Sequence, residues 1–179
     1  LRYQAIASPD DVESSKQQLL GLLSRRLSDE DKAQILFDIG LADIQTGNVM
    51  SALEYFNQAQ EAFWAQSNYV SWREVVNQQI ELLVAMQWFD RALEKVTQLV
   101  DFSKDVGGEA GIALHDKALA IMAADNQWQD MEKVALTLLE ESAESGSIKG
   151  QFIAGYWLMH VNVQQQNMDL VVRWNRKIE

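Results

Sequence analysis

The chain has no cysteine, one proline and nine glycines in 179 residues, and only 15 Lys and Arg against 26 Asp and Glu. Each shortage excludes something. Without cysteine there is no disulfide framework, no thiolate metal site and no cysteine nucleophile. A formal net charge of −11 argues against a nucleic-acid groove, which needs clustered cations to displace counterions from phosphates. No stretch approaches the roughly 18–20 apolar residues that span a bilayer. No basic segment followed by an apolar one opens the chain, so no signal peptide is read there. Acidity does not signal disorder here, because an apolar content of 47% is that of a folded protein. The expectation is a soluble, cytoplasmic domain that contacts neither nucleic acid nor membrane through this segment. The chain begins at Leu1 and reaches Glu179 within a helical pattern, so it reads as a segment of something longer.

Scarce proline and glycine favour long regular elements, since both weaken helix interiors. Ala, Leu, Gln, Glu and Met abound, and the Val/Ile/Thr alternation of strands is missing. The fold class is all-α. Ser8-Pro9-Asp10-Asp11 is a helix start, with a serine cap, proline at the first helical position and acids at the positive dipole end. That helix is read to Arg26. Ser28-Asp29-Glu30-Asp31 opens the next in the same way, and Thr46-Gly47-Asn48 supplies a C-cap glycine followed by a new N-cap. Further breaks fall near Ser67-Asn68, Gln87-Trp88, Gly107-Gly108, Asp125-Asn126, Ser145-Gly146 and Gln166-Asn167. The pieces between them make about nine helices, joined by connections short enough to force antiparallel neighbours.

The breaks are periodic. Gly47, Gln87, Asn126 and Gln166 are spaced by 40, 39 and 40 residues, and an i, i+4, i+7 stripe starts at the same offset after each. The stripes are Ala52, Phe56, Ala59; Ala92, Val96, Leu99; Met131, Ala135, Leu138; and Val171, Asn175, Ile178. The residue just after each turn is also large or apolar: Val49, Phe89, Trp128 and Met168. A helix hairpin recurring about four and a half times follows. Residues 9–26 form a half repeat, and 28–66, 68–106, 108–145 and 147–179 form hairpins within a single domain, 1–179. One hairpin cannot bury its apolar face alone, so hairpins stack. Ala52 and Ala92 let paired helices approach, and Phe56 fills the groove to the adjacent repeat, contributing roughly 1.5–3 kcal/mol if fully buried. A plain helix bundle is the alternative.

Leu36, Ile39, Gly40, Gly47, Val49, Ala52, Phe56 and Ala59 together resemble a tetratricopeptide repeat. They follow its large–Leu–Gly, glycine turn, Ala, Phe, Ala pattern. The second repeat keeps Phe89 and Ala92 but has Ile80 where that family prefers glycine. The third and fourth depart further, with Leu119 and Met159 at that point and Met131 and Val171 at the small position. The usual unit is ~34 residues; the longer one here is similar to variants in signalling scaffolds, motor light chains and the sensor arms of some bacterial regulators. The resemblance implies an α-solenoid of antiparallel hairpins wound into a right-handed superhelix.

Chemistry is sparse. His115 and His160 are the only histidines. They lie in different hairpins without a metal-binding i, i+4 pairing, so no metal is expected and His115 reads as a half-buried helix position. Gly107-Gly108-Glu109-Ala110-Gly111 lacks the lysine and preceding strand of a phosphate loop and reads as an interhelix turn. No nucleophile elbow is present, so neither catalysis nor a cofactor is expected. Among six tryptophans, Trp88 and Trp128 lie beside hairpin turns, where a ring would wedge between repeats. Trp64 and Trp72 flank a turn. Trp157 and Trp174 fall on the last hairpin, whose apolar end predicts possible homodimers through exposed terminal repeats.

The resemblance implies that the first helix of each hairpin lines a concave surface gripping a partner. Carried over, its inward positions are Phe37, Leu41 and Ile44; then Asn77, Glu81 and Val84; then Asp116 and Ala120; then Tyr156 and His160. That surface is apolar with scattered acids and lacks a Lys/Arg clamp for a peptide carboxylate. Residues 33–72 hold four acids and no Lys or Arg, which adds negative potential. The expected partner is a protein: a helix or extended peptide with apolar anchors and basic flanks. The leading reading is a non-catalytic protein-interaction scaffold. The alternatives are a ligand- or partner-sensing arm of a larger transcription or signalling regulator, and an accessory or catalytic helical domain of an enzyme, which would require a deep pocket with perturbed His or carboxylates.

Overall fold

The computed structural model describes residues 9–103 and 108–166. They form eight helices: α1 (Pro9–Leu23), α2 (Asp29–Gln45), α3 (Val49–Ala65), α4 (Tyr69–Ala85), α5 (Phe89–Ser103), α6 (Glu109–Ala124), α7 (Trp128–Glu144) and α8 (Ile148–Gln164). The all-α reading holds, and the described helices follow one another as hairpins. The Ser8 cap, Gly107 and the ninth helix with Met168, Val171, Trp174, Asn175 and Ile178 lie outside the described residues. One boundary moves: α1 ends at Leu23 rather than Arg26. The Arg25 N–H donates to the Leu22 carbonyl at 2.9 Å, and the Ser24 hydroxyl donates to that of Gly21 at 2.7 Å. This tight turn satisfies the last carbonyls and closes the helix.

The four periodic break residues share one backbone state. Gly47, Gln87, Asn126 and Gln166 have φ of +77°, +58°, +59° and +59°, and Ser67 and Gly146 between hairpins have +56° and +71°. A left-handed residue after a helix turns two amides back onto the last carbonyls. The Gly47 N–H accordingly donates to Ile44 at 3.1 Å and the Asn48 N–H to Asp43 at 2.8 Å. The same pair of bonds closes α3, α4, α6 and α7, through Ser67/Asn68, Gln87/Trp88, Asn126/Gln127 and Gly146/Ser147. Helix starts differ by class. Between hairpins, Ser28, Asn68 and Ser147 side chains accept the backbone N–H of Asp31, Ser71 and Gly150. Within the first and third hairpins, Asn48 and Gln127 make no such cap. Asn48 turns its amide onto the Thr46 hydroxyl at 2.9 Å instead.

The chain divides into two compact units, Leu1–Leu82 and Leu83–Glu179, with the division inside α4. In the first unit α1 packs on α2 and α2 on α3. Phe56 of α3 is fully buried, and its ring lies where a side chain at Gly40 would project. A Cβ there would come within 2.5 Å of the ring. The ring centroid is 5.7 Å from that of Phe37. The sequence places Phe56 toward the neighbouring repeat; in the structure it contacts Gly40 and Phe37 of its own hairpin, because the missing Cβ opens the space there. Trp72 of α4 is buried, 5.2 Å from the exposed Trp64 ring of α3.

Asp43, on α2, is buried completely. One carboxylate oxygen receives the Lys16 ammonium from α1, and the other accepts the Ser51 hydroxyl of α3 at 2.6 Å. A buried carboxylate needs such partners, because desolvation otherwise penalises its charge. Asp43 thereby joins three helices. It also reduces the negative potential expected across residues 33–72, since one of the four acids is paired with Lys16.

In the second unit α5 packs on α6, α6 on α7, α7 on α8 and α6 on α8. The core joins Ile112 and Leu119 of α6, Met131, Ala135 and Leu138 of α7, and Ala154, Leu158 and Val161 of α8. Leu119 stands at the Gly40 position and Ala135 at the Phe56 position. Small-plus-large in the first hairpin becomes large-plus-small in the third, which conserves volume across the pair. Gly150 admits the first turn of α8 directly against Ser142 of α7, where a Cβ would collide with the serine side chain.

Candidate partner-binding surface

The positions read from the sequence as inward-facing separate into three environments. Phe37 is only 6% exposed; with its ring on Phe56 it belongs to the core and offers almost no surface. Leu41 and Ile44 on α2 and Asn77 on α4 are half-buried, and Glu81 on α4 is exposed. Asn77 and Glu81 are four residues apart and so share a helix face. In the second unit Val84 and Asp116 are half-buried and Ala120 is exposed.

The structure brings the α6 and α8 positions together. Asp116 accepts the Trp157 indole N–H at 2.7 Å, which ties α6 to α8. His160 lies within an aromatic cluster: its ring centroid is 5.8 Å from Trp157 edge-on, 5.8 Å from Trp128 and 6.5 Å from Tyr156, with which it stacks. Tyr156 in turn meets Trp157 edge-to-face at 5.1 Å. Trp157 buttresses this cluster, and Asp116 fixes its orientation. The sequence reading placed Trp157 on the last hairpin and did not pair it with Asp116. The available signal was its spacing of 41 residues from Asp116, about one period, which places both on successive first helices.

The same helix carries an outward apolar stripe. Ile148, Phe152 and Tyr156 are 83%, 58% and 46% exposed, and Val163 continues them. Successive spacings of four, four and seven keep the four on one side of a helix. Opposite them Ala154, Leu158 and Val161 are buried in the core. An α-helix apolar on all sides is ordinarily enclosed; α8 leaves one such face in solvent.

The other chemical candidates are occupied structurally. The His115 ring nitrogen Nδ1 pairs with the Gly111 carbonyl at 2.9 Å on its own helix. Among the described residues no three His, Asp or Glu side chains gather to hold a metal ion, and no helix is long and apolar enough to cross a membrane. Trp128 packs against the core as expected. Trp88 instead borders an open depression, with the Arg91 guanidinium 5.0 Å above its ring.

No family model matches the sequence, and no curated protein matches it. Solved structures do. The apo form of RapI is similar over 94% of this chain with a TM-score of 0.69 and 18% identity. This chain spans 48% of the RapI chain. The tetratricopeptide-like repeats of a kinesin light chain from Podosopora anserina are similar over 99% of this chain and 90% of theirs, with a TM-score of 0.70 and 17% identity. Their Q17M variant gives a TM-score of 0.70 at 14% identity, over 99% of this chain and 88% of that one. At such identities the likeness speaks for fold, and the fold it establishes for this chain is that of the tetratricopeptide-like helical repeats.

Proposed function

We propose that the chain is a protein-interaction module without chemistry of its own, which holds an apolar helix or extended peptide segment against the outward face of α8. The observation that carries this reading is the exposed face of α8, where Phe152 and Tyr156 stand beside the His160 cluster. Burying such a face recovers roughly 25 cal/mol for each Å² of apolar surface removed from water, and exposed apolar patches mark association sites. The fold supports it, since helical repeats of this type serve chiefly as interaction surfaces. Glu81 on α4 and the exposed Glu54 and Glu61 on α3 favour a partner with basic flanks.

Capture of partners by the whole chain tests the reading. The Phe152→Ser/Tyr156→Ser variant, shown to be folded by circular dichroism, should recover the captured protein at least about tenfold less well, the loss of two anchors. Equal recovery refutes the assignment of α8. Glu81→Lys should weaken binding and flatten its salt dependence. If the same face joins two copies, concentration-dependent dimerisation will disappear in the α8 variant.

A second reading is a sensing arm within a larger protein; this chain spans about half of the RapI chain whose fold it shares. It predicts that the helical segment occludes or releases another domain of its parent protein when the α8 face is occupied.

A further inference from the structure

The turn that joins α4 to α5 and the turn that joins α6 to α7 border one open depression of about 430 Å³. Its lining comes from Gln87, Trp88, Phe89, Asp90, Arg91 and Asp125, all within the second unit. None of these belongs to the α8 face. Trp88 and Phe89 supply half-buried rings, and Asp90 and Asp125 supply carboxylates. Gln127 holds the two acids on one wall: its side-chain amide donates to Asp125 Oδ2 at 2.5 Å and to Asp90 Oδ1 at 3.4 Å.

Two features state which ligand such a wall suits. The Arg91 guanidinium lies 5.0 Å from the Trp88 ring centroid, so the ring already accepts a guanidinium from this chain. Arg91 forms no ion pair with Asp90 or Asp125 among the described residues. Two carboxylates therefore face one cation that is engaged by an indole, leaving a net negative rim beside an aromatic floor. The amide of Gln127 uses one oxygen of each acid and leaves the other oxygens for a further donor. A planar guanidinium satisfies such a site better than an ammonium, because it stacks on the indole while its edge donates to carboxylates.

The geometry points to a binding site for the arginine side chain of a basic peptide, seated on Trp88 in competition with Arg91 and held by Asp90 and Asp125. Only the peptide as the source of the guanidinium rests on the interaction reading above; the affinity of the depression for the group does not. Arg91 is exposed and gives up the ring without leaving a buried charge. It therefore acts as a weak internal occupant that an incoming arginine displaces.

Titration of the full chain with N-acetyl-arginine methylamide, followed by two-dimensional amide NMR, tests this directly. Saturable shifts of the Trp88 indole N–H and the Gln127 side-chain amide are expected, with none from the neutral citrulline analogue. Asp90→Asn/Asp125→Asn should weaken binding at least about fivefold, as loss of two partly exposed charges implies, whereas Glu144→Gln, at the exposed far end of α7, should not. Arg91→Ala should tighten it about two- to fivefold, the worth of an exposed cation–π contact. Equal shifts from citrulline, no saturation, unchanged affinity in the double variant, or weaker binding by Arg91→Ala would each overturn the assignment. Failure here leaves the α8 face intact as an interaction site, and failure of the α8 variants leaves this one intact.

Discussion

Removing Lys16 should reveal how α1 is held to the array. Asp43 is wholly buried, and its charge is met by the Lys16 ammonium on one oxygen and the Ser51 hydroxyl on the other. Truncating one partner of a fully buried pair costs about 3–5 kcal/mol. The loss here should be smaller. Lys16 is itself slightly exposed, and α1 is a terminal helix among the described residues whose clearly buried side chain is Val12. If α1 loosens, water reaches Asp43 and caps the penalty. We expect Lys16→Ala to cost about 2 kcal/mol in urea unfolding, with faster hydrogen exchange confined to α1. Lys16→Met/Asp43→Leu/Ser51→Ala should regain most of that loss, because an apolar trio has no charge to desolvate. The pH dependence follows in sign. The hydrogen bond to Asp43 raises the Lys16 pKa above its ordinary value of 10.5, more than burial lowers it. The folded state therefore binds the proton more tightly, and the contribution is complete below the ordinary lysine value. It is lost as pH rises through the raised one. A cost under about 0.5 kcal/mol for Lys16→Ala, the scale of a solvated surface pair, or an unchanged alkaline slope in Lys16→Met, would refute the buried-pair account.

The exchange of volume between hairpins makes a second prediction: Gly40→Leu and Phe56→Ala should each cost about 3 kcal/mol or more, while the double variant costs clearly less than their sum, as judged by chemical denaturation. At the left-handed turns, Ser67→Gly should stabilise by about 0.5–1 kcal/mol and Asn126→Gly by far less, since asparagine already tolerates that conformation. Gly47→Ala should destabilise by about 1 kcal/mol, a loss visible as a lower thermal midpoint. Ser147→Ala removes the cap on the Gly150 N–H and should cost about 1 kcal/mol, with fraying of the first turn of α8 seen by hydrogen exchange.

What could be read from the sequence was whatever one residue decides locally. Gly47, Gln87, Asn126 and Gln166 were read as breaks that recur at one spacing; each takes the left-handed state, and at the first three two amides return to the end of the helix. Only one of them is glycine, so composition was a poorer guide than register. Features that depend on two distant residues stayed hidden. Asp43 looks like a surface acid until Lys16, 27 residues earlier on another helix, is seen against it. Phe37 shares its helix face with Leu41, yet Gly40 opens a space for the Phe56 ring, and that ring brings Phe37 into the core. The depression at Trp88 needs two turns that only stacking brings side by side.

The same distinction explains why the later repeats look eroded when compared residue by residue. A hairpin must fill a fixed space between its helices, and the glycine-and-phenylalanine pair is one way to fill it. Leu119 with Ala135 is another, and both residues are fully buried. Either pair fills the space, so neither position alone dictates its residue provided its partner compensates. The repeat persists as periodic turns and paired volumes after its signature residues have gone. That is consistent with a structural likeness extending over 99% of the chain at 17% identity while no family model matches its sequence. The outward face of α8 takes no part in the core that Ala154, Leu158 and Val161 join, so packing among the described helices of the second unit does not account for the exposure of Ile148, Phe152 and Tyr156, which points to what the helix meets.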